Sequence, residues 1–205
     1  MLFKLLIHKY FTDKSLFFRD LTEFLAKSLI LRDRIWDGGI EATVIIILMG
    51  VAGSGKSTIG NLLSQRLGWN FADADNFHSP TNIEKMRSGI PLTDSDREPW
   101  LNTLRLQLEQ WSESGTNGIL ACSALKQSYR DHLRVSDDVR FVYLKGDKNL
   151  LQERLRGRRE HYMKDSMLAS QFATLEEPVD AVILDVSPPP AEIVEEIVAV
   201  LGLSR

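Results

Sequence analysis

Thr43-Val44-Ile45-Ile46-Ile47-Leu48-Met49-Gly50-Val51-Ala52-Gly53-Ser54-Gly55-Lys56-Ser57 is the stretch that decides the fold. Its first seven residues are an unbroken β-branched and aliphatic run, the pattern of a strand buried on both faces of a parallel sheet. Its last eight match G-x-x-x-x-G-K-[ST], placed where a phosphate-binding loop needs to be, between a strand and a helix. Glycine reaches backbone conformations closed to other residues, so successive N–H groups can turn inward around phosphate oxygens. The helix expected over Lys56–Leu67, with Gly68 suited to its C-terminal cap, adds the positive end of its dipole. Residues Gly50, Val51, Ala52, Gly53, Ser54, Gly55, Lys56, Ser57 and Thr58 are therefore expected to hold the phosphates of a nucleotide. Lys56 should reach the β- and γ-phosphates, and the Ser57 hydroxyl should ligate Mg²⁺.

Outward from this core, strand and helix alternate. Strands are expected at Trp69–Ala72, Ile119–Leu125, Val139–Leu144 and Ala181–Val186. Ser79-Pro80 reads as an N-cap followed by proline at the first helical position, opening a short helix that stops near Gly89. Asp94 is expected to cap a longer helix reaching about Ser114, with Leu101, Leu104, Leu108 and Trp111 on one face. Ile193–Leu201 closes the chain as a helix. Strands separated by helices imply right-handed crossovers and one parallel sheet covered on both faces.

Composition narrows the function classes. The chain has 205 residues and a formal charge of −3, which gives no general reason to bind nucleic acid or an anionic membrane. Val44–Met49 is far shorter than the roughly 18 apolar residues of a membrane span. One cysteine, Cys122, excludes an internal disulfide framework and fits a reducing, cytoplasmic setting. In an aliphatic strand it reads as a buried small hydrophobe. No N-K-x-D guanine-reading motif follows the loop, and Asp185 reads as an edge or capping aspartate. A small phosphotransferase is the best class.

Residues 1–42 read as a separate N-terminal extension, with the kinase-like domain over 43–205. The extension carries seven basic and six acidic side chains. Phe17, Leu21, Phe24, Leu25 and Leu29 fall close to helical spacing. Asp13, Asp20 and Glu23 argue against a transit peptide, which is poor in acids. A packed extra helix and an upstream start that the working protein does not use both stand.

Asp73-Ala74-Asp75 follows the second strand at its carboxyl end, where ligands bind in open α/β sheets. Period-2 alternation would aim both carboxylates the same way. Asp73 is expected behind Mg²⁺ and its waters, and Asp75 beside the alcohol that attacks, taking its proton. Either could instead cap a turn. His78 reads equally as a substrate ligand or a partly buried loop histidine.

The motifs behind the loop are specific. Asp73-Ala74-Asp75-x-x-His78, Asn82-Ile83-Glu84-Lys85-Met86, Gly89-x-Pro91-Leu92-x-Asp94-x-Asp96-Arg97-x-Pro99-Trp100-Leu101, Cys122-Ser123-Ala124-Leu125-Lys126-x-x-Tyr129-Arg130-Asp131, Tyr143-Leu144-Lys145-Gly146 and Ser170-Gln171-Phe172-x-Thr174-Leu175-Glu176-x-Pro178 occur in that order. Over residues 43–202 the chain resembles the gluconokinase (gluconate kinase) family, relatives of shikimate and adenylate kinases. The resemblance implies an α/β P-loop kinase fold of the nucleoside-monophosphate-kinase type. It also implies ATP-dependent phosphorylation of D-gluconate at its 6-hydroxyl, and often a homodimer. Ala74 stands where the family commonly has glycine, and Ser79 separates the histidine from Pro80.

Within those motifs Arg97, Lys126 and Arg130 supply cations for a sugar-acid carboxylate, which suits a guanidinium bidentately. Lys126 and Arg130, four apart, would share a helix face. Arg97 has a competing role as a helix-start ion pair with Asp94 or Asp96. Arg154–Lys164 carries a local charge of +4 in a net-negative chain. It reads as a lid over the ATP phosphates, with Arg154 and Arg158 the best placed by family position. Trp100 and Trp111 read as packing, Tyr129 as ordering its loop, and Gln171 as a residue that the family motif alone places near a ligand.

Overall fold

The computed structural model describes residues 43–157 and 165–204, and only the backbone of residues 165–167. The expectations for residues 1–42 and for Arg158–Lys164 lie outside the described residues.

β1 (Ile45–Met49) lies at the centre of a five-stranded sheet whose order is β2-β3-β1-β4-β5, with β2 Asn70–Asp73, β3 Gly118–Ala121, β4 Val139–Lys145 and β5 Val182–Asp185. Every pairing is parallel, and Ile47 stands between Leu120 and Phe141. All five β1 residues are fully buried. The strand's period of two divides them between two apolar layers. Ile46 and Leu48 join Ile59, Leu63 and Leu67 of α1 (Lys56–Leu67) and Ile193, Ile197 and Leu201 of α7 (Pro190–Leu201). Ile45, Ile47 and Met49 join Leu104, Leu108 and Trp111 of α3 (Asp94–Glu113). Each such side chain contributes about 1.5–3 kcal/mol by burial, so the strand that feeds the glycine loop is fixed from both sides.

Local signals set most boundaries. α1 ends on Gly68 at φ 74°, whose N–H donates to the Ser64 carbonyl. Gly60 lets α1 press on β2, because a Cβ there would come within 2.3 Å of the Phe71 ring. α2 (Pro80–Arg87) opens with Pro80 after Ser79, whose hydroxyl accepts from the Asn82 N–H at 3.2 Å.

Several boundaries shift slightly: β1 begins at Ile45, β2 runs from Asn70 to Asp73, β4 reaches Lys145, β5 is confined to Val182–Asp185, and the last helix begins at Pro190. Two further differences have a local cause. The cap of α3 is Thr93 rather than Asp94, because Asp96 three positions on completes a capping box with it. β3 stops at Ala121, short of the expected Leu125, because the chain turns at Ala124 with φ 43°. Among the described residues the remaining helices are α4 (Gln127–Leu133), α5 (Lys148–Arg156) and α6 (Asp165–Thr174). β1, β2 and β3 all point their carboxyl ends toward one edge of the sheet, and the loops that leave them carry the motif residues.

Candidate active site

The phosphate loop leaves β1 with Gly50, Gly53 and Gly55 at φ 141°, 82° and 92°. A side chain on Gly50 would lie 2.8 Å from the Leu144 carbonyl oxygen, so neither space nor backbone admits one. The Lys56 ammonium folds over the loop and donates to the Gly50 and Val51 carbonyls at 2.9 and 3.0 Å. Ser54 is fully buried, and its Oγ has no hydrogen-bond partner. Ser57 and Thr58 are exposed on the first turn of α1. A glycine cradle, a lysine across it and a helix N-terminus behind it form a fitting receptacle for a polyphosphate.

The Ser57 hydroxyl donates to Asp73 Oδ2 at 2.5 Å, bringing together the two residues expected around Mg²⁺. A hydroxyl and a carboxylate are the hard oxygen ligands or water-holders that this ion takes, so the pair fits it. Among the described residues no group of three or more His, Cys, Asp or Glu side chains forms a protein-only metal cage. The alternation expected for Asp73 and Asp75 ends at Asp73. Asp73 closes β2 and caps the following 3₁₀ turn (Ala74–Phe77), its Oδ1 accepting from the Asp75 N–H at 3.1 Å. Asp75 is exposed beyond it. Thus one aspartate is tied to α1 and the other stands on a separate turn at the same sheet edge.

His78 follows that turn and stacks on Trp100, with ring centroids 4.4 Å apart and planes at 11°. Trp100 is buried and donates Nε1–H to the Ala74 carbonyl at 2.7 Å, so the indole packs the histidine and fixes the turn that carries Asp75. Burial lowers the His78 pKa, opposed by Asp75 and reinforced by Arg97. Its Nδ1 is buried without a partner.

The expected cations part company. Lys126 donates to both Asp94 carboxylate oxygens, at 2.8 and 2.7 Å, and Tyr129 donates to Asp94 Oδ1 at 2.5 Å. Hydrogen bonding by Lys126 first, then by Tyr129, lowers the Asp94 pKa, and the Lys126 pKa rises mainly through its bonding to Asp94. Arg97 lies 3.9 Å from Asp94 and donates to the Leu92 carbonyl at 2.6 Å. The helix-start ion pair considered for Arg97 is therefore present, yet Arg97 and Lys126 both border the Tyr129 ring, at 6.0 and 5.5 Å from its centroid.

Arg130 departs from expectation. It is 1% exposed, and its guanidinium donates to the Ala124 and Leu125 carbonyls and to Gln127 Oε1. Lys126 is the N-cap residue of α4, and its ammonium turns to Asp94 while the Arg130 guanidinium turns to main-chain carbonyls and Gln127, so the two cations do not act as a pair. Arg130 holds the loop after β3 instead of facing the acceptor side. Arg154, at the end of α5, donates to the Val186 carbonyl at 2.7 Å. Arg158 lies outside the described residues.

The shikimate kinase family matches residues 52–202 of the chain. The probable gluconokinase of Dictyostelium discoideum is 43% identical over 171 residues, which cover 77% of this chain and 86% of that protein. The thermoresistant gluconokinase of Escherichia coli is 40% identical over 162 residues, covering 77% and 93%. The crystal structure of a gluconokinase from Sinorhizobium meliloti superposes with a TM-score of 0.70 at 43% identity, covering 78% of this chain and 93% of that one. The chain belongs to the gluconokinase family.

Asp94 and Gln171 make contacts that the sequence did not signal, and Tyr129, expected to order its loop, does so by donating to Asp94. In this gluconokinase-family chain the Asp94 carboxylate gathers Lys126 and Tyr129, a role hidden because an aspartate at a helix start has a sufficient local explanation. Gln171 Oε1 accepts from the Ala52 N–H at 2.6 Å, across 119 positions of sequence. Only its place in a family motif signalled it.

Proposed function

We propose that the protein transfers the terminal phosphate of ATP to the 6-hydroxyl of D-gluconate by direct in-line displacement, without a phosphoenzyme. The observation that carries this reading is the Ser57–Asp73 contact at 2.5 Å, which joins the phosphate loop to the strand end that leads to Asp75. The gluconokinase names of its relatives supply the acceptor.

In this reading the loop amides of residues 50–58 and the Lys56 ammonium hold the triphosphate and counter the charge on the phosphoryl group as it moves. Ser57 and Asp73 would hold Mg²⁺, directly or through water, and the ion would supply neutralisation of phosphate charge. Asp75 orients the gluconate hydroxyl and takes its proton as the new O–P bond forms and the bond to ADP breaks. Arg97 and Lys126 receive the sugar-acid carboxylate, with His78 offering a neutral imidazole to a hydroxyl. Arg154 and Arg158 are assigned to the phosphates by family position.

The same resemblance supports a homodimer, and the single cysteine supports a reducing, cytoplasmic setting. Light scattering and cell fractionation test those two points. Among the described residues no helix is long and apolar enough to cross a membrane.

The deciding experiment follows ADP release with ATP, Mg²⁺ and a panel of sugar and hydroxy acids. Gluconate should be turned over to 6-phosphogluconate. Shikimate belongs in the panel because the shikimate kinase family matches the chain, and turnover of shikimate alone would replace gluconate as acceptor. ATP binding with no turnover of any acid would make the protein a nucleotide sensor.

A further inference from the structure

One helix touches both halves of the site. From α6, Gln171 Oε1 accepts the Ala52 N–H of the phosphate loop at 2.6 Å. Just past the end of the same helix, Glu176 N–H donates to the Leu125 carbonyl at 2.9 Å, and Glu176 Oε2 accepts the Gln127 N–H at 2.6 Å. Leu125 and Gln127 flank Lys126, the cation on the acceptor side. Between the two polar anchors, Leu175 packs against both apolar layers of the sheet, while Leu168 is fully buried near the start of the helix.

The anchored points are close to the chemistry. The Lys56 ammonium, the group that reaches the β- and γ-phosphates in such loops, sits on the carbonyls of Gly50 and Val51, next to Ala52. Gln171 therefore holds the loop beside the end where the transferring phosphate belongs. Glu176 supplies an acceptor to the first N–H of α4, one of the orphan donors of a helix start, and so fixes the turn that presents Lys126.

We infer that the Gln171–Glu176 segment is a brace that sets the spacing between phosphate donor and acceptor, with Gln171 and Glu176 as positioning residues. The inference rests on the kinase reading above. Neither residue needs to touch a substrate. Each holds a loop that does, and small misplacements of reacting groups cost rate out of proportion to binding.

Steady-state kinetics of Gln171→Ala, Glu176→Ala and Glu176→Gln test the brace. Both alanine variants should lose at least about tenfold in kcat, while KM for ATP and for gluconate stays close to the parent value. Glu176→Gln keeps an oxygen acceptor for the Gln127 N–H and should recover most of the rate. Parent-level kcat in either alanine variant overturns the inference, as does failure of Glu176→Gln to recover it. So does a lowered melting temperature with an unchanged rate per folded molecule. If Gln171→Ala does not fold, the two Glu176 variants decide alone. The parent enzyme's rate with gluconate, measured in the same series, judges the functional reading separately.

Discussion

The Ser57 hydroxyl and the Asp73 carboxylate meet at 2.5 Å, linking the first turn of α1 to the last residue of β2. Sixteen positions separate them in sequence, and the parallel crossover returns them to one sheet edge. Removing either oxygen should raise the Mg²⁺ concentration needed for half-maximal rate by roughly tenfold, the cost of losing one ordered partner around a metal site. Mg²⁺ titrations of Ser57→Ala and Asp73→Asn check this, and unchanged titration curves would remove the pair from metal binding.

Lys56→Met should abolish useful turnover, with a fall of at least about 100-fold in kcat, because it deletes a preorganised positive charge aimed at the migrating phosphoryl group. The fold should persist, since Lys56 lies across a loop and not in either apolar layer. Circular dichroism alongside the ADP-release assay separates the two effects.

Asp75→Asn keeps the shape of the 3₁₀ turn, whose cap is Asp73, and removes only the proton acceptor. Its kcat should drop about 10²–10⁴-fold with ATP affinity retained. Calorimetric ATP binding and initial rates measure both quantities. Full activity would send the base role elsewhere.

Arg130→Met should act on stability. Its guanidinium satisfies the Ala124 and Leu125 carbonyls inside the protein, and leaving such groups unpaired costs about 1–3 kcal/mol. For a domain of this size that lowers the melting temperature by several degrees. A raised KM for gluconate at unchanged melting temperature would return Arg130 to the substrate.

Acid should weaken the start of α3 through Asp96. The Lys85 hydrogen bond, followed by bonds from Thr93, holds its pKa down to about 2, against 3.8 ordinarily. Because the folded value is the lower one, the contribution is complete above about pH 4 and disappears as pH falls toward 2. Melting curves from pH 5 to 2 should therefore decline less steeply for Asp96→Asn than for the parent. Equal slopes would count against the Lys85–Asp96 pair as a source of acid sensitivity.

Local chemistry made much of this fold readable. The aliphatic run to Met49, the Gly68 cap and the Ser79-Pro80 start each carry their own physical reason, and the structure places those elements where that reason puts them. The misreadings arise where partners are distant or compete. Thr93 displaces Asp94 as cap because Asp96 reciprocates, and Asp94 is then available to Lys126, 32 positions away. Nothing in the spacing of Arg130 distinguishes a substrate cation from a buried clamp on main-chain oxygens, since both want a guanidinium after β3. Gln171 was opaque for the same reason, as its partner lies 119 positions earlier.

Cys122 is 1% exposed, and burial pushes its thiol up to about 12. Thiolate, the form that reacts with alkylating and oxidising reagents, is thus scarce at neutral pH while the domain stays closed. Because it is the single sulfhydryl in the chain, maleimide uptake becomes a clock for global opening, read at one known point. Peroxide or iodoacetamide should leave the closed enzyme working, so a burst of labelling would announce that the chain leaving β3, beside the glycine loop, has come apart.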